Sequence, residues 1–252
     1  MWFFNRYNVI MRLKPQENKI MNVSDLMSGS LDYMIPEVKR LFGIPQHKTY
    51  HPEVDAGIHT MLAVQYGLNR RYESIVILGA LLHDVGKGET DKALLPAHHG
   101  HEVVGGSLVR KMFERESFRA WVTDFVPDIE LKEIEAFCVL VAERHLAYVR
   151  YESLSTKTVL KEIMRVYSSF KDNKLTWLHR ILNVVSCDKN GRLGVLYDDR
   201  GLKDYWSSVH NALMENDLCN DPNAPFDQAL HKKRLNVIDA IEFDSNDYYF
   251  RD

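Results

Sequence analysis

Apolar residues recur along this chain at the three- and four-residue spacing of amphipathic helices, and no segment shows the strict alternation of a half-buried strand. The most apolar stretch runs from Ile75 to Leu82 and ends abruptly at His83-Asp84. We therefore predict an all-α fold, a helical bundle, with a loop over 89–100. The predicted helices cover residues 31–42, 59–68, 74–85, 101–112, 128–148, 155–170, 174–189, 203–215 and 226–241.

The same pattern predicts how the chain is divided. Residues 1–30 are mixed in character and suggest an N-terminal extension. The regularly spaced helices over 31–215 predict the main domain, and 216–252 predicts a C-terminal helical extension that packs on this domain or trails from it. Pro36 fits the first turn of the first helix, which Gly43 and Pro45 are expected to end.

Composition excludes several classes of protein. The net charge of −3 gives no global field that would draw the chain to nucleic acid or to a membrane, so any nucleic-acid contact must be local. The three cysteines form no CxxC pair and are expected to be reduced thiols. The sequence shows neither a secretory signal nor an apolar run of the about eighteen residues that span a bilayer, so we expect a cytoplasmic protein without membrane partners.

Several predicted helices carry a polar residue where the apolar stripe calls for Leu or Val. Burying an ionisable side chain is costly unless it binds something, and a metal ion is the usual occupant. A single inward histidine is more often a hydrogen-bonded core residue, but a set on converging stripes indicates a metal site. The candidate ligands are His59, His83, Asp84, His101, His145 and Asp188.

This ligand chemistry limits the metal and the reaction. Imidazole and carboxylate together suit divalent ions such as Mn, Fe, Co, Ni or Zn, and Mg is a further candidate. The candidates are numerous enough for one ion or for two with Asp84 bridging, and the number stays open. A divalent ion lowers the pKa of water and neutralises phosphoryl oxygens, so the set favours hydrolysis at phosphorus.

Four further residues are candidates for contact with a substrate phosphate. Lys87 follows the His-Asp pair by one turn or less, and Arg192 follows the last candidate ligand; each could instead be an ordinary helix-end cation. His98 and His99 lie in a Pro-containing loop and could be surface residues, partners of the metal ligands or phosphate binders. Residues taken as solvated, structural or surface groups are Glu102, Glu143, His179, His210 and His231.

These motifs resemble the HD phosphohydrolase superfamily, whose signature is a His, a His-Asp pair and an Asp, with two more histidines in its two-metal members. The similarity is greatest to the HD domain of bacterial tRNA nucleotidyltransferases, the CCA-adding enzymes of gamma-proteobacterial type. It covers about residues 31–215. The stretches that carry it are LFGIPQHKTYHPEVDAGIHT at 41–60, LLHDVGKG at 81–88, PAHHGHE at 96–102, AERH at 142–145 and CDKNGR at 187–192.

The resemblance implies an HD-domain fold and metal-dependent 2′,3′-cyclic phosphodiesterase, 2′-nucleotidase and phosphatase activity on nucleotides or RNA 3′ ends, with tRNA as a possible partner. It also implies metal ligands at His59, His83, Asp84 and Asp188, joined by His101 and His145 where two ions bind.

The chain also departs from that family. There the HD domain follows a nucleotidyltransferase head. Only about thirty residues precede the match here, and they show no Gly-Ser dipeptide that leads to a strand with paired carboxylates, which nucleotide addition requires, so we expect no CCA addition. Ser186-Cys187 stands where the family has an acidic pair, which is expected to alter the pocket without removing the ligand.

Two other functions remain open on the sequence. HD domains also cleave signalling nucleotides, both cyclic dinucleotides and 3′,5′-cyclic forms, and nothing in the residues excludes such a substrate. A non-catalytic domain that binds tRNA or a partner is the third hypothesis, although such a domain has no physical need for so many inward polar residues. The oligomeric state stays open as well.

Overall fold

The fold is helical, as the apolar pattern predicts. A computed structural model describes residues 23–194, 196–219 and 227–241. Within these ranges there is no β-strand, and the only bridge of that kind is an isolated antiparallel one between Pro45 and Asp55. The predicted all-α fold class is therefore confirmed.

The helices differ in length, and so do the connections between them. The α-helices are α1 Val23–Met27, α2 Pro36–Lys39, α3 Ala56–Asn69, α4 Ser74–Leu82, α5 His101–Glu114, α6 Glu116–Phe125, α7 Leu131–Val149, α8 Thr156–Ser169, α9 Lys174–Asn190, α10 Arg200–Glu215 and α11 Gln228–Asp239. Three 3₁₀ helices cover Val85–Glu89, Lys92–Leu94 and Tyr151–Ser153.

Some predicted boundaries are wrong. The helix predicted over 31–42 is reduced to α2, although its Pro36 does occupy the first turn. The predicted loop over 89–100 contains a 3₁₀ turn, and α6 was not predicted at all because its short amphipathic stretch has no strong start signal. Predictions for residues 1–22, 220–226 and 242–252 fall outside the described residues.

Helix α4 forms the centre of the core because its apolar run has no polar face. All its apolar residues from Ile75 onward are buried, and it packs against α3, α7 and α9. A helix that is apolar all round must be enclosed by others. Gly79 permits the closest of these contacts, since a Cβ there would come within 2.8 Å of Phe137 and Val184 side chains.

The packing brings several helix ends to one place. Asp55 caps α3 by accepting a hydrogen bond from the Ile58 N–H at 2.8 Å, and this fixes the turn in which His59 lies. His101 is the first residue of α5, while His145 and Asp188 lie in the last turns of α7 and α9. The candidate ligands therefore converge on the point where α4 ends.

Two glycines bring α5 against the 3₁₀ helix that follows α4. A Cβ on Gly86 would lie 1.9 Å from the carbonyl oxygen of His101 and 2.6 Å from the nitrogen of Gly105. Only a residue without a side chain allows this approach. Gly86 thus sets how near His101 comes to the end of α4.

Helix α11 packs against α8 and α10, so the described part of the C-terminal region contacts the rest of the bundle. Asp227 caps this helix by accepting hydrogen bonds from the Ala229 and Leu230 amides. No helix among the described residues is long and apolar enough to cross a membrane.

Gly86→Ala is expected to destabilise the fold by about 1–3 kcal/mol, because the new methyl group must push α5 away. Urea unfolding followed by circular dichroism measures the loss. Gly88→Ala is the matched control in the same 3₁₀ helix, since its nearest Cβ contact is 3.3 Å away on the Arg40 side chain. Equal losses in the two variants would contradict the close-approach role of Gly86.

Candidate metal centre

The structure brings all the predicted ligands into one buried cluster. None of them is more than 7% exposed. Ring centroids lie 5.5 Å apart for His59 and His83, and 5.1 Å apart for His83 and His145. Side chains separated by as many as 129 positions in the sequence thus meet in one place.

Asp84 lies at the middle of the cluster, and its two carboxylate oxygens face different partners. Oδ2 lies 3.2 Å from His83 Nε2 and 3.9 Å from His59 Nε2. Oδ1 lies 3.3 Å from His101 Nε2 and 3.7 Å from His145 Nε2. A carboxylate placed between two pairs of imidazoles has the arrangement needed to bridge two cations.

Asp188 completes the set around Oδ2 of Asp84. Its Oδ1 lies 3.0 Å from His59 Nε2 and 3.9 Å from His83 Nε2. His59, His83 and Asp188 form one group able to hold a metal ion, and His83, Asp84 and His145 form another. The two groups share His83, so they are parts of one centre.

Hydrogen bonds at Nδ1, the ring nitrogen that faces away from the cluster, fix the orientation of three histidines. Nδ1 of His83, His101 and His145 donates to the backbone carbonyls of Ala80, His98 and Val141, at 2.8, 2.6 and 3.0 Å. A ring that donates through Nδ1 presents the lone pair of Nε2, and in all three rings Nε2 faces the cluster. This is the tautomer that binds a metal.

Several polar atoms of the cluster have no hydrogen-bond partner within the described part of the chain. They include His83 Nε2, Asp84 Oδ1, His101 Nε2 and Asp188 Oδ2. Buried acceptors without donors are costly, and a bound cation would satisfy them together. The donor set of imidazole nitrogens and carboxylate oxygens therefore fits a divalent metal ion.

The protonation states of His145 and Asp84 agree with that fit, whereas at His59 and His101 the effect of burial is outweighed by the neighbouring carboxylates, which raise the pKa values of both rings. Burial, and then the charge of His83, lower the pKa of His145 to about 3, so its ring is neutral at pH 7. Burial alone would raise the pKa of Asp84, but the charges of His83 and Lys87 outweigh it and hold the pKa well below its usual value. Metal ligands need these forms, a neutral imidazole and an ionised carboxylate.

His59 differs from the other histidines because its Nδ1 faces a carboxylate. Glu53 Oε1 lies 2.9 Å from His59 Nδ1 and 2.9 Å from His51 Nδ1, and the Glu53 side chain is fully buried. Burial opposes ionisation of Glu53, but the contacts with His51 and His59 outweigh it and lower its pKa. A carboxylate behind a histidine orients the ring and increases its basicity as a ligand.

The loop before α3 holds Glu53 in position. Val54 adopts a φ of 65°, a left-handed conformation that is strained for a β-branched residue. Glu53 Oε2 also accepts the Leu193 N–H at 3.3 Å, which ties this loop to the segment after α9. The sequence analysis did not identify Glu53 or His51 as part of the site. The position of Glu53, directly after Pro52 and shortly before His59, could have suggested a role beside that histidine.

Lys87 is buried in the same centre. Its Nζ donates to Asp84 Oδ2 at 2.5 Å and to Gln46 Oε1 at 2.6 Å. Arg192 lies at the other side, with Nη2 3.4 Å from Asp188 Oδ1. Both cations therefore contact candidate ligands rather than solvent alone.

The two loop histidines are placed differently. The ring of His98 contacts the Thr90 hydroxyl at 2.9 Å through Nδ1 and donates to the Pro45 carbonyl at 3.0 Å through Nε2. The backbone carbonyl of His98 accepts the hydrogen bond from His101 Nδ1, so His98 helps to orient the ring of a candidate ligand. His99 is exposed.

The remaining polar residues lie outside the centre. Glu143 is only half-buried and pairs with Arg110 at 2.7 Å, so it is not simply solvated as expected. Glu102 Oε2 lies 3.6 Å from His101 Nδ1. His179 contacts the Ser207 hydroxyl and His210 contacts the Tyr167 hydroxyl, both as part of the helical packing.

Glu53→Gln is expected to weaken Mn²⁺ binding about 10- to 100-fold, because a neutral amide no longer increases the basicity of His59. Calorimetric titration of the purified, metal-stripped protein measures the affinity. Glu37→Gln is the matched control, since Glu37 is another buried carboxylate, held by Arg115 at 2.8 Å. Unchanged Mn²⁺ affinity in Glu53→Gln would rule out the orienting role.

Comparison with known sequences finds a family model that matches the region around this site. Residues 51–170 match the HD domain family. This range contains His59, His83-Asp84, His101 and His145, and it ends before Asp188.

The chain is also similar to curated full-length proteins. It is 31% identical to a multifunctional CCA protein of Neisseria meningitidis serogroup A over 189 residues, which are 75% of this chain and 42% of that protein. It is 30% identical to a multifunctional CCA protein of Thioalkalivibrio sulfidiphilus over 221 residues, which are 85% of this chain and 50% of that protein. The chain thus spans about half the length of these relatives. No solved structure matches it significantly.

Proposed function

We propose that this chain, whose residues 51–170 match the HD domain family, is a metal-dependent phosphohydrolase that opens 2′,3′-cyclic phosphates and removes 2′-phosphates or other phosphomonoesters. The proposed substrates are nucleotides and RNA 3′ ends, with tRNA as the larger partner. The proposed ligands of one or two divalent ions are His59, His83, Asp84, His101, His145 and Asp188.

The observation that carries this proposal is the position of Asp84. Its two oxygens face two separate pairs of imidazoles, and acceptor atoms on both sides lack partners among the described residues. Bound there, a divalent ion supplies charge neutralisation for phosphoryl oxygens and a water molecule of lowered pKa. Hydrolysis at phosphorus is the reaction that uses both effects.

The bond changes are those of a simple hydrolysis. A P–O bond forms to the oxygen of water, and the P–O bond to the ribose 2′ or 3′ oxygen breaks. The leaving ribose oxygen takes up a proton, so one water molecule is consumed and no other reactant is needed. The chain must therefore orient the phosphate for attack and hold its negative charge.

Two cationic side chains beside the candidate ligands are proposed to hold that charge. The Lys87 ammonium is hydrogen-bonded to Asp84, and the Arg192 guanidinium contacts Asp188. Nε of Arg192 is buried and has no acceptor in the described part of the chain. We assign both to the substrate phosphate, while His98, whose ring contacts Thr90 and Pro45, and the exposed His99 are weaker candidates.

Purified protein with Mn²⁺, Ni²⁺, Co²⁺ or Mg²⁺ is expected to hydrolyse 2′,3′-cAMP, and Asp84→Asn is expected to lower kcat/KM at least about 10³-fold, because both sides of the centre lose a charged ligand. Chromatographic separation of the products gives the rates. His179→Gln is the control, since that histidine lies outside the candidate centre and contacts the Ser207 hydroxyl on α10. Metal-loaded protein that cleaves no phosphodiester or phosphomonoester would refute the proposal.

The same assay distinguishes the other two functions. Preference for a 3′,5′-cyclic nucleotide or a cyclic dinucleotide over 2′,3′-cAMP would point to a phosphodiesterase of signalling nucleotides. Binding of tRNA by a protein that holds no metal and hydrolyses nothing would point to a non-catalytic domain.

Lys87→Met is expected to raise the KM for 2′,3′-cAMP about tenfold or more, because a charge-assisted hydrogen bond to the phosphate is lost. Steady-state kinetics together with Mn²⁺ titration separate the possible effects. A fall in metal affinity with an unchanged KM would mean that Lys87 acts only on Asp84.

A further inference from the structure

Gln46 is a buried polar side chain that touches the metal centre through Lys87. It is 2% exposed. Its Oε1 accepts a hydrogen bond of 2.6 Å from Lys87 Nζ, and the same ammonium donates to Asp84 Oδ2. One residue thus separates the Gln46 amide from the carboxylate at the middle of the cluster.

The contact with Lys87 fixes which way the amide points. An ammonium group can only donate hydrogen bonds, so the amide oxygen, and not the amide nitrogen, must meet it. Nε2 is buried and has no acceptor among the described residues. One residue away from the carboxylate of Asp84 there is therefore an amide donor whose identity is fixed and whose hydrogen bonds are not made within the described part of the chain.

The backbone around Gln46 keeps the side chain in place. The Gln46 N–H donates to the Val54 carbonyl at 2.6 Å, and Pro45 forms the isolated bridge with Asp55. The Pro45 carbonyl also accepts the hydrogen bond from His98. The backbone of Gln46 is held by Val54, and its amide oxygen is held by Lys87. An amide restrained in this way is a preorganised binding group.

We propose that Gln46 is a substrate-binding residue whose Nε2 donates a hydrogen bond to a phosphoryl oxygen, next to the ammonium of Lys87. This deepens the proposed function and rests on it. An anionic oxygen is the fitting acceptor because the donor lies beside a fixed positive charge, and hydrogen bonds from neutral donors to phosphate are stronger than those to neutral acceptors.

Inorganic phosphate is the probe, with binding to the Mn²⁺-loaded protein measured by calorimetry. Gln46→Met keeps the length of the side chain and removes the donor, so phosphate affinity is expected to fall about tenfold. Mn²⁺ affinity and the midpoint of urea unfolding are expected to stay near wild type. Gln65→Met is the matched control, because Gln65 donates to Asn69 on the exposed side of α3.

A double-mutant cycle with Lys87→Met separates a direct contact from an effect through Lys87. If Gln46 contacts phosphate itself, Gln46→Met weakens phosphate binding in the Lys87→Met background as well. If Gln46 only positions Lys87, the second substitution has no further effect, and the proposal is overturned.

Other outcomes are equally decisive. Unchanged phosphate affinity in Gln46→Met means that Nε2 meets an ordered water only, and equal losses in Gln46→Met and Gln65→Met mean a nonspecific effect; either result overturns the proposal. Wild-type protein that binds no phosphate overturns it too. Phosphate binding that depends on Gln46 in a protein that hydrolyses no substrate supports the contact while refuting the proposed reaction.

Discussion

The carboxylate of Asp84 is the group on which the architecture of the centre depends. Its two oxygens face His59 and His83 on one side and His101 and His145 on the other, and Lys87 donates to it as well. An ionised carboxylate at 1% exposure is stable only if its surroundings supply positive charge or hydrogen-bond donors. Lys87 supplies one charged donor, and a cation held by the surrounding imidazoles would supply the remaining positive charge.

The loop before α3 is the second structural determinant of the centre. Its two buried polar side chains serve different groups, since Glu53 orients His59 and Gln46 binds Lys87. The strained backbone at Val54 and the bridge between Pro45 and Asp55 fix both side chains relative to α3. Strain of this kind persists only where the surrounding structure over-determines it, and here it lies beside the candidate ligands.

The relatives place this arrangement in a wider context without deciding its chemistry. The HD family match covers most of the candidate ligands, and the similarity to multifunctional CCA proteins extends over 75% to 85% of the chain. The chain spans about half of each of those proteins, so their activities as whole proteins do not transfer to it directly. The residues described here fit a buried site for a divalent metal ion, next to the charged side chains of Lys87 and Arg192.

The sequence by itself determined the helical fold and the identity of the candidate ligands. Apolar periodicity reports on burial, so a His or Asp on an apolar stripe is recognisable without coordinates, as His59 and Asp188 were. The short helix α2 was decided by local turns, for which periodicity carries little signal. Helix α6 does have an apolar stripe at helical spacing, Phe118, Trp121, Val122 and Phe125, which the sequence analysis did not use.

Only the tertiary structure decided which atoms face one another. The split of the Asp84 oxygens depends on how the ends of several helices meet. The contact of Glu53 with His59 and the position of the Gln46 amide nitrogen, which has no acceptor among the described residues, depend on a loop whose residues show no repeating pattern. Gly86 illustrates the same limit, because its role arises from the backbone of α5, which is distant in sequence. A hydrophobic pattern indicates which residues are buried. Which buried residues contact one another is decided by how the helices pack.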